Sequence, residues 1–105
     1  MVRATLQLKI RPGREPDFER AWRQVAAEVR LVPGNLRQAL LRDAVDPRAF
    51  TITSDWADEA SFRGFERSPE QDALTATIRT LRESAAMTVH ALVAHVDGEA
   101  PACRG

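Results

Sequence analysis

A chain of 105 residues, 44% hydrophobic and 29% charged, is sized for one domain with a single core. Its 15 basic and 15 acidic side chains cancel, so there is no electrostatic basis for a nucleic-acid partner or an anionic membrane surface. One cysteine, Cys103, excludes an internal disulfide and any multi-cysteine metal centre.

The start, "MVRATLQLKI", alternates apolar and polar residues instead of following the charged-then-apolar order of a signal peptide. No apolar run approaches the roughly 20 residues of a membrane helix. The expected compartment is a reducing cytoplasm. Residues 1–97 read as the domain and 98–105, "DGEAPACRG" less its first residue, as a flexible tail carrying the thiol.

Val2 to Ile10 reads as a strand, with Val2, Ala4, Leu6, Leu8 and Ile10 on one face. "RPGRE" breaks it, and a helix from Pro16 to Leu31 follows, with Phe18, Trp22, Val25, Ala26 and Val29 as its apolar stripe. "VPGN" stops the helix. Asn35 to Arg42 is a second strand of imperfect alternation, "DAVDPR" a turn, and Ala49 to Trp56 a third strand. On that third strand Phe50, Ile52, Ser54 and Trp56 share a face, opposite Thr51, Thr53 and Asp55.

Asp58 caps a short helix bearing Phe62 and Phe65. In "SPEQ", Ser68, Pro69 and Gln71 start another helix, with Leu74, Ile78 and Leu81 as its stripe. Ala85 to Val96 is expected as a long fourth strand, apolar on both faces. The order β-α-β-β-α-β is the split βαβ, or ferredoxin-like, arrangement: a four-stranded antiparallel sheet with its helices on one face. A second subunit covering the other face is the economical solution, so a homodimer is expected.

With "RPGREPDFERAW", "VPGNLRQALLRD" and above all "TSDWADEASFRGFERSPEQDAL" in place, the chain resembles the antibiotic biosynthesis monooxygenase family over residues 2–97. The resemblance implies a small ferredoxin-like dimer. Its implied activity is oxidation of a polycyclic phenolic (aromatic polyketide) intermediate to a quinone by O₂, with no metal, flavin or haem. A cyclase, or a non-catalytic polyketide-binding protein of the same fold, is the alternative. The quinone-forming relatives carry an asparagine where this chain has Ile52 and a tyrosine where it has Phe62. Their helix arginine falls near Ala76, with Arg79 one turn on. Haem-degrading relatives need a histidine where this chain has Glu66, and the asparagine of their first strand is absent as well. Trp56 matches the family's tryptophan.

The expected site therefore centres on Trp56, either as a wall stacking on an aromatic ligand or as a junction aromatic of the core. Ser54 is a candidate donor to a substrate oxygen, and Ile52, Phe62 and Phe65 are candidate walls. Strand two offers Gln38 or Arg37 to the pocket, with the parity open, and the helix offers Arg79. Proton removal falls to His90, His95 or Asp72. Five positions apart, the two histidines face opposite sides of an unbroken strand: His95 with the helices and His90 toward the partner. Neither belongs to a metal-ligand cluster, so no metal is expected.

Overall fold

The computed structural model describes residues 1–99. Its elements follow the order β1 (Val2–Ile10), α1 (Glu15–Val29), β2 (Asn35–Arg42), β3 (Ala49–Trp56), α2 (Glu59–Glu66), α3 (Pro69–Leu81) and β4 (Arg82–Ala91). The sheet is antiparallel throughout with strand order β2-β3-β1-β4, as a split βαβ requires. The expected tail lies, from residue 100 on and with Cys103, outside the described residues.

Local chemistry explains where the helices begin. Pro16 occupies the first turn of α1, where its missing N–H costs nothing. The Asp58 carboxylate accepts the Ser61 amide at 2.7 Å to cap α2, and the Ser68 hydroxyl accepts the Gln71 amide at 3.1 Å to cap α3. Gly34 carries the chain from α1 into β2 at φ +91°, and a Cβ there would lie 2.5 Å from the Ser61 Cβ. Glycine is thus required twice over, for its left-handed backbone and for the close approach of α2.

The core divides into two groups along the sheet. Leu8, Ile10, Phe18, Ala21, Phe50, Ile78 and Leu81 form one, with the Phe18 and Phe50 rings 4.8 Å apart. Ala4, Val29, Trp56 and Phe62 form the other. Even-numbered β1 residues supply the helix side of the sheet in both.

Two β-bulges interrupt this regularity. In β2, Asn35 pairs with Trp56 and Arg37 with Asp55, leaving Leu36 extra. In β4, Ser84 pairs with Lys9 and Arg82 with Ile10, leaving Glu83 extra.

The fourth strand corrects the expected boundaries. It starts at Arg82, directly from α3, and ends at Ala91 instead of running from Ala85 to Val96. Its sole ladder partner is β1, and Val2, the first residue of β1, is already opposite Ala91. One more bond, from the Leu92 amide to the Met1 carbonyl at 3.0 Å, exhausts the partner. A strand cannot continue where nothing accepts its hydrogen bonds. Helix α1 likewise ends at Val29, two residues before the expected Leu31.

The sheet face away from the helices is uncovered in the single chain. Its central rows are Ala39–Thr53–Thr5–Thr88 and Leu41–Thr51–Gln7–Ala86. Beside them runs a charged row, Arg37–Asp55–Arg3–His90. Asp55 is buried within that row, with 1% of its surface exposed. It accepts two hydrogen bonds from Arg3, at 2.7 and 3.0 Å, and Arg37 lies 3.4 Å away. The Arg3 hydrogen bond and the two guanidinium charges hold the Asp55 carboxyl below its ordinary value, against the cost of its burial.

Candidate active site

Between the sheet and the three helices lies a cavity of about 270 Å³, at the small end of small-molecule sites. Its floor is two cross-strand rows of the sheet. One contributes Gln38, Ser54 and Ala4, and the next Ile52, Leu6 and Met87. Trp22, Val25 and Val29 of α1, Phe62, Phe65 and Glu66 of the α2 segment, and Gln71, Thr75, Ile78 and Arg79 of α3 complete the walls.

Trp56 closes one end. It is 1% exposed, stacked on Phe65 with ring centroids 5.4 Å apart and edge-on to Phe62 at 5.9 Å. Its indole Nε1 donates to the Ser54 hydroxyl at 3.0 Å. A hydroxyl that accepts there retains its own hydrogen to donate, so Ser54 has a donor available on the cavity floor. The two sequence readings of Trp56 are compatible: the residue is a core aromatic and a cavity wall at once.

Gln38 reaches the cavity because of the bulge at Leu36. That extra residue sets the parity the sequence left open, turning Gln38 toward the helices beside Ser54 and Arg37 to the open face beside Asp55. The Gln38 side-chain amide donates to the Ala26 carbonyl at 3.0 Å, which ties strand two to α1 and fixes the side chain over the cavity.

The structure brings together Ile52, Ser54, Trp56, Phe62, Phe65, Gln38 and Arg79 around one cavity. It separates the other candidates from it. His90 stands opposite Arg3 on the uncovered sheet face, as alternation requires. His95 does not share the helix side: it lies beyond the end of β4, exposed, with its Nε2 2.8 Å from the Asp97 carboxylate. Asp72 points outward from α3 with 78% of its side chain exposed and pairs with Arg79 at 3.3 Å. Asp72 and Arg79 thus share one side of α3, but only Arg79 lines the cavity. Arg37 lies with Asp55, on the wrong side of the sheet.

The carboxylate that does line the cavity is Glu66. It ends α2 and is held by the Arg63 guanidinium at 2.9 Å. Trp22, which its apolar stripe assigns to the core, also lines the cavity and is only partly buried. Arg82 is a further lining residue that the expected strand start at Ala85 left outside the sheet. Among the described residues no group of three His, Cys, Asp or Glu side chains is placed to hold a metal ion, and no helix is long and apolar enough to cross a membrane.

A family model described as "Antibiotic biosynthesis monooxygenase" matches residues 1–77. A 42.8 kDa protein of the whiE locus of Streptomyces coelicolor is 26% identical over 102 residues, 96% of this chain. Protein SchA of Streptomyces halstedii is 30% identical over 69 residues, 66% of this chain. The matched segments make up 25% and 18% of those longer proteins. Among solved structures, a mutant of SnoaB, a cofactor-independent oxygenase from Streptomyces nogalater, superposes with a TM-score of 0.84 at 20% identity, covering 92% of this chain and 97% of that one. An antibiotic biosynthesis monooxygenase superposes at 0.78 and 20% identity, covering 90% and 100%. At such identities the structural likeness establishes the fold.

Proposed function

The chain belongs to the antibiotic biosynthesis monooxygenase family, and from that premise we propose that its cavity oxidises a polycyclic phenolic substrate to a quinone with O₂ and no cofactor. The observation that carries this reading is the aromatic wall of Trp56, Phe62 and Phe65 standing over a floor whose polar groups are Ser54 and Gln38. A flat ring system packs against this wall at the partly buried Phe65, with Trp56 behind it, and Ser54 and Gln38 meet its oxygens. Ile52 and Leu6 supply the apolar surface beneath the ring.

For a substrate methylene flanked by aromatic rings the overall change is R₂CH₂ + O₂ → R₂C=O + H₂O. Loss of a proton makes the ring system electron-rich, and the resulting carbanion or phenolate reduces O₂ itself. The protein's work is then to bind the ring, accept a proton and exclude bulk water. We assign proton removal to Glu66, the carboxylate that lines the cavity. SnoaB, described as a cofactor-independent oxygenase, shares the fold, which is consistent with this chemistry.

A second reading, that the protein is a cyclase or holds a reactive polyketide chain without oxidising it, is favoured by one observation. His90, His95 and Asp72, the proton acceptors expected from the sequence, all lie outside the cavity. Holding a chain requires shape and a few hydrogen bonds, which Ser54 and Gln38 offer.

We further propose that the working form is a homodimer joined through the uncovered sheet face. Its two central rows carry no charge, and Leu41 is 53% exposed there. Such a surface is suited to a second apolar and hydroxyl-rich surface of the same kind.

The deciding experiment incubates the purified protein, without added cofactor, with an anthrone and follows O₂ consumption together with quinone absorbance. Uptake of one O₂ per quinone, above the rate without protein, is the expected result. Tight binding without uptake would replace the oxygenase reading by the second one, and absence of both would overturn the ligand site itself.

A further inference from the structure

Trp22 is set apart from the other large rings on the helix side of the sheet. One turn earlier on α1, Phe18 is fully buried and meets Phe50 at 4.8 Å between ring centroids. Trp56 packs against Phe62 and Phe65 and donates its indole N–H to Ser54. Trp22 is only partly buried. Among the described residues its ring has no aromatic partner and its indole N–H makes no hydrogen bond.

Space surrounds this ring instead. The cavity between sheet and helices lies against it. A second cleft of about 280 Å³ is bordered by Trp22 with Leu40 and Phe50. An open groove of about 540 Å³ is bordered by Trp22 with Ala26, Ala27 and Leu36. Among the described residues Trp22 alone borders all three.

The sheet register shows what the ring divides. Ala4, Leu6 and Leu8 of β1 all line the cavity, which therefore extends along the strand for about 13 Å. Trp56, opposite Val2, closes one end. At the other end Leu8 lines the cavity while its cross-strand partner Phe50 lines the cleft. The boundary between the two spaces falls between these neighbours, and the side chain shared by both spaces is Trp22. Its place on α1 agrees with this. It lies about two helical turns before Val29, which packs with Trp56 at the closed end.

We propose that Trp22 is a specificity-determining residue, whose indole sets the longest ring system the cavity admits. A wall discriminates by overlap and needs no attractive contact of its own. Three linearly fused rings lie between Trp56 and Trp22, and a fourth on the same axis runs into the indole. With the indole shortened, the cavity continues into the cleft beside Leu40 and Phe50. This rests on the aromatic-ligand reading above and adds the size limit of the ligand and the residue that imposes it.

The test titrates the protein with quinizarin, a hydroxyquinone of three fused rings, and with dihydroxynaphthacenequinone, the same compound extended by one linear ring. Binding is read from the ligand's own visible absorbance, so loss of a tryptophan leaves the signal intact. The native protein is expected to bind quinizarin about tenfold more tightly, as the overlap of one extra ring with a packed wall implies. Trp22→Leu is expected to erase that preference by tightening the four-ring ligand, and Trp22→Phe to fall between. The far-UV spectrum of each variant checks its fold. Equal affinities in the native protein, an unchanged preference in Trp22→Leu, or a preference lost only through weaker quinizarin binding would overturn the role of Trp22 and leave the aromatic site standing. An unfolded Trp22→Leu would show the ring to be a core residue and overturn that role too. Failure of both ligands to bind the native protein would overturn the aromatic-ligand reading itself.

Discussion

Replacing Trp56 by alanine should unfold a substantial part of this protein's margin of stability before it reports anything about function. The indole is 1% exposed and packs with Ala4, Val29 and Phe62 in one of the two core groups. Truncating a buried tryptophan costs about 3–5 kcal/mol. The contacts with Phe65 at 5.4 Å and Phe62 at 5.9 Å belong to the kind worth about 0.5–1.5 kcal/mol each beyond area. The ring is buried on every side, and about 3 kcal/mol, the lower bound of that range, is the minimum expected. Domains of this size hold about 5–15 kcal/mol in total. A loss of about 3 kcal/mol corresponds to a fall in Tm of about 12–24 °C.

Trp56→Phe isolates the ligand-facing chemistry better. It keeps an aromatic ring against Phe62 and Phe65 and removes the indole N–H that donates to Ser54 at 3.0 Å. That bond contributes about 1 kcal/mol, and the Ser54 hydroxyl left behind borders the cavity, where water can replace the lost donor. The expected total is about 1–2 kcal/mol. Urea unfolding followed by far-UV circular dichroism measures both variants, with m-values unchanged. An alanine variant within about 1 kcal/mol of the native protein would refute the assignment of Trp56 to the core. Only the phenylalanine variant, still folded, should then be used to ask whether the ring also holds a ligand.

The Asp55 carboxyl titrates below its ordinary value because Arg3 hydrogen-bonds it and Arg3 and Arg37 attract its charge. Its stabilisation is therefore complete above the unfolded value of about 3.9 and is lost as pH falls through the lower folded value. Asp55→Asn should be less stable than the native protein at pH 7, with the gap closing in acid; urea midpoints at neutral and acid pH check this, and a gap that does not change with pH would contradict it. Thr53 lies at the centre of the uncovered face, between Ala39 and Thr5. Thr53→Arg should convert the proposed dimer to a folded monomer by light scattering, whereas an unchanged dimer would move the interface elsewhere.

Much of this architecture was legible because it depends on local chemistry. Asp58 and Ser68 were readable as caps and both close their helices. The period-two pattern of Ala49–Trp56 placed Ile52, Ser54 and Trp56 on one face, and the cavity opens on that face. What escaped was set by partners rather than by propensity. The bulges at Leu36 and Glu83 leave no compositional mark, yet the first turns Gln38 inward and the second does the same for Arg82. The end of β4 is dictated by the length of β1, which is why an apolar run reaching Val96 suggested a longer strand and placed His95 on it. Trp22 sits on the apolar stripe of α1 in either role, so spacing alone could not distinguish a core ring from a cavity wall.

The distribution of polarity in the cavity bears on how a site of this composition could handle protons. Ile52 stands where the quinone-forming relatives resembled by the sequence carry asparagine, and its cross-strand neighbours are Leu6, Leu40 and, beyond Leu6, Met87. An amide in that row would find no hydrogen-bond partner on the sheet and would depend on ligand or water. Here the row is apolar from edge to edge, and the polar groups are displaced to its surroundings. Ser54 and Gln38 occupy the adjoining row, while Glu66, Gln71, Thr75, Arg79 and Arg82 belong to the helical wall and the start of β4. A flat ligand seated on the apolar row meets polar atoms along its edges rather than beneath its plane. On the proposed reading, proton transfer would take place at the ligand's perimeter, where Glu66 is the lining carboxylate. Loss of oxidation with retained binding in Glu66→Gln would fit that geometry, while an oxidising Glu66→Gln would leave the substrate's own acidity and cavity water as the route.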